Sequence, residues 1–174
     1  LFMSISLIQP IFFDVFDQGD HFTYWFAGMA LISGSASLLN AALVMRYGMR
    51  ALATLALGTQ MVLSILMTVI WLAGLRGDPM FYIFLVWMTS IFFQVGLTLG
   101  NLNAITMEPL GHIAGTAASV SGGLATVIGA AIAAPVGLAF DGTPLPLSIG
   151  IAIAAGLAFI TLQHMRRLEI RGFA

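Results

Sequence analysis

Five stretches of this chain contain no Asp, Glu, Lys or Arg: His21 to Met45, Ala51 to Leu75, Pro79 to Met107, Pro109 to Phe140 and Gly142 to Met165. Each exceeds the roughly 20 apolar residues that a helix needs to cross the hydrocarbon of a bilayer. Hydrophobic residues make up 60% of the sequence and charged residues 7%. Soluble domains carry close to a quarter charged residues, and no soluble core could hide so much apolar surface. The runs are continuous rather than alternating over about ten residues, which selects helices over a transmembrane β-barrel. The expected fold class is all-α, a polytopic transmembrane helical bundle.

The few charges give this ladder a direction. All six basic residues are arginines; Arg46 and Arg50 share one connection, and Arg166, Arg167 and Arg171 share the C-terminal tail. Asp14, Asp17, Asp20, Asp78 and Asp141 occupy the other connections, with Arg76 the single exception on that side. The positive-inside rule makes the arginine side cytoplasmic, so the C-terminus is expected there. The opening apolar run, residues 1–13, is about two-thirds of a span and lacks a basic flank, so it reads as a cut helix and not a signal peptide. The expected organisation is one unit over 1–174, with spans at 1–13 (truncated), 22–45, 51–75, 79–107, 113–140 and 145–165. Its connections are too short for soluble domains, so neighbouring helices are expected to pack antiparallel. There is no Cys, which removes disulfides and thiolate metal sites. The formal net charge of −1 says nothing for nucleic acid, and none is expected as a partner.

Polar side chains inside such a ladder are where function is expected. In the fourth segment Trp87, Gln94 and Asn101 are spaced by seven, with Ser90 and Thr98 between them. Steps of 100° bring all five within roughly 80° of one another. Gln94 falls near the middle of the segment, at a depth where an unpaired amide is costly. Two readings stay open: interhelical hydrogen bonds for stability, or a face lining a solute pathway. Gln9 beside Pro10, followed by Phe12 and Phe13, suits a broken segment lining the same cavity. Asn40 is placed to bond near the inner end of its helix, and Gln60 reads as glue between helices. Phe22, Tyr24, Trp25, Phe26, Phe81 and Tyr82 read as interfacial belts. In the fifth segment Gly111, Gly115, Ser119 and Gly123 recur every fourth residue, then Gly129, Ala133 and Gly137, as in close helix contacts or in a helix that slides against a partner. Pro135 can kink this helix.

Motifs for catalysis are wanting, with no HExxH, P-loop or GxSxG. His21, His112 and His164 each stand at a segment edge without a second ligand at metal spacing, so neither an enzyme nor a metal site is expected.

The run Asn101-Leu102-Asn103-Ala104-Ile105-Thr106-Met107-Glu108-Pro109-Leu110-Gly111-His112-Ile113-Ala114-Gly115-Thr116-Ala117 resembles the connection between helices ten and eleven of bacterial drug-efflux carriers. Together with Ser119, Gly122, Gly123, Phe140 to Thr143, Pro10, Asn40 and Arg46 to Arg50, it is similar to the Bcr/CflA (bicyclomycin-resistance-like) type of the major facilitator superfamily. The resemblance implies half of a twelve-helix major facilitator fold, the C-terminal half, whose partner is the N-terminal half of the same transporter. It places the chain in the bacterial inner membrane. Arg46, Gly48 and Arg50 resemble the superfamily's cytoplasmic loop motif, with Met45 where that motif carries an acid.

In such carriers the helices corresponding to the first, second, fourth and fifth segments border the central cavity, and two halves rock about a midplane site. The implied function is proton-coupled efflux of small apolar or amphipathic drugs by alternating access, powered by the proton gradient with no bound cofactor. Gln9, Trp87, Ser90, Gln94, Thr98 and Asn101 are the substrate-pathway candidates. No Asp or Glu lies deep in a segment, so the proton site is expected in the other half. An importer or uniporter of the same fold, and a six-helix assembly protein that carries no solute, are the alternatives.

Overall fold

The computed structural model describes residues 1–170 and Gly172; Arg171 of the basic tail lies outside the described residues. Helix α1 (Phe2–Pro10) passes into a π-turn (Ile11–Val15), followed by α2 (Phe22–Tyr47), α3 (Met49–Leu72) and α4 (Asp78–Met107). A 3-10 turn (Glu108–Ile113), α5 (Ala114–Leu138) and α6 (Leu145–Ile170) complete the chain. There is no strand among the described residues. Four continuous stretches are long and apolar enough to cross a membrane: Phe22–Tyr47, Met49–Leu72, Asp78–Leu138 and Leu145–Leu168. The third contains both α4 and α5.

The exterior agrees with the apolar composition. On α2, Tyr24, Leu31, Leu38 and Met45, seven residues apart, are 77 to 89% exposed. A face of that kind is tolerated where the surroundings are not water. The molecule is a helical membrane bundle.

Short connections set the packing. Gly48 alone joins α2 to α3; its φ of 82° lies in the left-handed region that a side chain disfavours. Arg76, the charge on the acidic side, folds back so that its guanidinium lies 3.9 Å over the Trp71 ring and donates to the Trp71 and Leu75 carbonyls. Stacking with shared hydrogen bonds explains how the charge is accommodated there. Ala133, near the end of α5, belongs to the same core cluster as Met80 and Phe84, near the start of α4, so the 3-10 turn reverses the chain.

The core is heaviest at the aspartate end. Pro10 brings no N–H to the helix ladder, and the π-turn beyond it places Phe12 among Phe22, Phe81 and Phe84, edge-on at 5.2 to 5.9 Å. Trp25 packs on Phe81 at 5.4 Å. The belt expectation therefore divides: Tyr24 and Tyr82 face outward, whereas Phe81 is buried and Phe22 and Trp25 pack against the core. The rings of Phe12 and Phe16 offer a better surface than the exterior.

Helices α2 and α4 approach most closely at Gly96, where an added Cβ would stand 2.7 Å from the Cβ of Ala36. That methyl has no flexible end to move aside. Gly96→Ala is expected to cost about 1–3 kcal/mol by overpacking. Gly100→Ala, where an added Cβ meets nothing within 4 Å, should be neutral or mildly stabilising. Reversible unfolding in mixed detergent would measure both, and equal effects would contradict the close α2–α4 contact.

Candidate functional site

Five polar residues on one face of α4 do not all do the same thing. Trp87 is buried and its Nε1 donates to Ser64 Oγ of α3 at 3.1 Å. Ser90 Oγ donates to the Trp87 carbonyl at 2.6 Å and has Gln60 Oε1 of α3 at 3.2 Å. Gln60 Nε2 in turn reaches Ser64 Oγ at 3.4 Å. At the other end Asn101 Nδ2 donates to Asn40 Oδ1 of α2 and to the Leu97 carbonyl, both at 2.7 Å. These groups tie α4 to α3 and to α2, which is what an apolar interior demands of buried amides and hydroxyls.

Gln94 and Thr98 are different. Gln94 Nε2 donates to Thr98 Oγ1 at 3.0 Å, and that hydroxyl donates to the Gln94 backbone carbonyl at 2.9 Å, so both bonds stay within α4. The side-chain carbonyl of Gln94 accepts from no described residue. It lies on a groove of about 610 Å3 walled by α2, α3 and α4, with Ile32, Thr59, Gln60, Ser90 and Phe93 among its lining. A second groove of about 350 Å3 adjoins it through Leu63, Val86 and Ser90 and reaches Trp87. Among the described residues the middle of α4 thus presents one amide with spare hydrogen-bonding capacity to a largely apolar space. That arrangement can hold a neutral molecule with an apolar body and one donor.

Gln9 is not part of this site. It is exposed on α1, bonds to no described residue, and α1 takes no part in the walls of either groove. Phe12 is buried in the aromatic core and Phe13 is half exposed. The groove that the stripe joins has α3 as a wall, and not α1 or α5 as the resemblance implies.

The glycine repeat also departs from expectation. Gly111 lies in the 3-10 turn and not on the fifth helix. Gly115, Ser119 and Gly123 are exposed, and a Cβ added at either glycine meets nothing within 4 Å. Close contact is confined to the far half of α5, where the Phe2 ring would lie 2.8 Å from a Cβ at Gly129 and Ala133 is buried. Among the described residues no other helix packs on Gly115 or Gly123, so that half of the spacing marks a small-residue face without its neighbour.

At the arginine end Arg46 lies over the Tyr47 ring at 5.3 Å, and Gly48 makes the turn. Arg50 Nη2 pairs with Glu108 Oε2 at 2.9 Å. Both partners are substantially exposed, which limits the pair to about 0–1 kcal/mol, yet it links the start of α3 to the end of α4. The repeat Gln60, Ser64, Thr68 on α3 was the overlooked signal for the polar seam. These residues stand four apart on one helix face, and Thr68 extends the seam to Ser148 of α6 at 2.8 Å.

No family model matches the chain, and neither a curated protein nor a solved structure matches it. The geometry therefore carries the functional reading. For the Asn40–Asn101 bond, membrane hydrogen bonds of this type contribute about 0.6 kcal/mol on average and up to about 1.7. Asn40→Ala and Asn101→Ala should each destabilise, and the double variant should lose less than their sum by about that amount. A double-mutant cycle measured by detergent unfolding checks this; strict additivity would mean that the two amides do not bond.

Proposed function

We propose that these helices form the C-terminal half of a secondary active transporter of the major facilitator type, similar to Bcr/CflA drug-efflux carriers. Paired with an N-terminal half in the bacterial inner membrane, it exports small apolar or amphipathic compounds by alternating access. The observation that carries the reading is Gln94: a mid-helix amide with an unused acceptor, opening on an apolar groove large enough for a drug-sized molecule. Two further features support it. The first half of the small-residue face of α5, at Gly115 and Gly123, meets no neighbour among the described residues, which suits a half that packs against a partner. The absence of acids from the middle of the segments agrees with a proton site in the other half. The arginine end and the C-terminus then lie in the cytoplasm.

In this mechanism the groove binds substrate through its apolar walls, and Gln94 supplies orientation. Helix bonds at Ser64–Trp87 and Asn40–Asn101 keep α4 fixed to α3 and α2, so the half moves as one body. Those same bonds favour the second reading, an assembly protein in which polar residues serve stability alone.

Transport separates the two. In the complete transporter, Gln94→Leu should lower efflux of hydrogen-bonding substrates about five- to tenfold, the loss of one good bond, while leaving membrane insertion intact. Drug accumulation in cells, with the inserted amount measured alongside, gives the readout. Unchanged efflux for every substrate would remove Gln94 from the pathway.

A further inference from the structure

The seam between α3 and α6 is tight where Gly58 faces Phe159, whose ring would stand 3.0 Å from an added Cβ. Beside it, in the half nearer the arginines, lies a trough of about 550 Å3 on the exterior of the bundle. Its composition is graded. Val62 and Leu63 line it toward the middle of the membrane, Leu55, Gly58 and Thr59 line it between, and Ala51, Thr54, Gln163 and Arg166 line it toward the arginine end. Thr54 to Val62 is nine residues of helix, a rise of about 12 Å.

The polar end is unsatisfied. Arg166 is exposed and has no ion pair among the described residues, and the Gln163 amide bonds to none of them. Arg167 and His164 line an adjoining hollow of about 320 Å3 that shares Phe159 and Gln163. Among the described residues no acidic side chain lines either space. A ligand here needs an anionic head at the membrane surface and a hydrocarbon body of at least the trough's length. A soluble anion would leave the apolar trough empty, and an uncharged drug would leave the guanidinium without a counter-ion.

We propose that the α3–α6 trough binds an anionic phospholipid from the leaflet at the arginine end. The phosphate sits on Arg166 with Gln163 donating beside it, and one acyl chain lies along Leu55, Gly58 and Val62. The charge complementarity is that of basic groups against anionic headgroups. This proposal rests only on the bundle lying in a membrane, and it stands or falls independently of the transport reading.

The test uses the whole purified chain, with retained lipid measured by native mass spectrometry after exchange into phosphatidylglycerol or phosphatidylcholine of identical acyl chains. The chain should retain phosphatidylglycerol in preference. Arg166→Gln should weaken that retention about fivefold, the share of one basic group at an anionic surface. Val62→Trp, at a half-exposed position, should displace the chain without entering the core, and it tests the site even if Arg166→Gln does not fold. Arg46→Gln, at the same end but outside the trough, should change nothing. Equal retention of the two lipids would overturn the proposal. So would equal weakening by Arg46→Gln, or displacement by inorganic phosphate.

Discussion

The hydroxyl of Ser64 accepts hydrogen bonds from both Trp87 Nε1 and Gln60 Nε2, and the rest of the interior is arranged around that junction. In hydrocarbon an amide or indole cannot turn to water, so the interior demands a partner or a cavity for each polar side chain, a demand that Ser4 Oγ, Trp25 Nε1 and Ser33 Oγ leave unmet among the described residues. Gln60, Ser64 and Thr68 of α3 meet this demand on two sides, joining α4 through Trp87 and Ser90 and α6 through Ser148. Apolar packing then closes the seams, with close approaches at Gly96, Gly129, Gly150 and Gly58. Gln94 stands out because Trp87, Ser90 and Asn101 on the stripe are paired across seams, whereas it bonds only to Thr98 of its own helix and its side-chain carbonyl accepts from no described residue.

The helices were legible in the sequence for a simple reason. Charge-free stretches longer than a bilayer crossing can be counted, and α2 to α5 begin and end close to their limits, whereas α6 runs on past Met165 with Arg166 and Arg167. Which face meets which neighbour was not legible. A period of 100° groups Trp87, Gln94 and Asn101 on one side of α4, but it cannot say that α3 lies opposite Trp87 and α2 opposite Asn101. The aromatic residues near the aspartate end show the same limit. Tyr24 and Phe81 have equal claims to an interfacial belt by composition, and the rings of Phe12, Phe16 and Trp25 packed on Phe81 make it core.

Spacing also overstates what it knows about partners. A residue pattern with period four identifies the small face of α5, yet a Cβ added at Gly115 or Gly123 meets no other helix among the described residues. Conversely, Arg50 and Glu108 are separated by 58 residues and no local pattern links them. They meet because both stand at the same end of adjacent helices, a consequence of topology that the alternation of charges along the chain already contained.

The central claim is that the middle of α4 opens on a space that a solute can occupy, and this is tested most directly by cysteine accessibility. The chain contains no Cys, so single replacements report one position each. In native membranes, Gln94→Cys should react with a small polar maleimide and be shielded by a transported compound, while Leu31→Cys on the outward face of α2 should stay inert in the lipid. If position 94 is as unreactive as position 31, the groove is filled by lipid or by neighbouring protein, and the polar face of α4 serves stability alone.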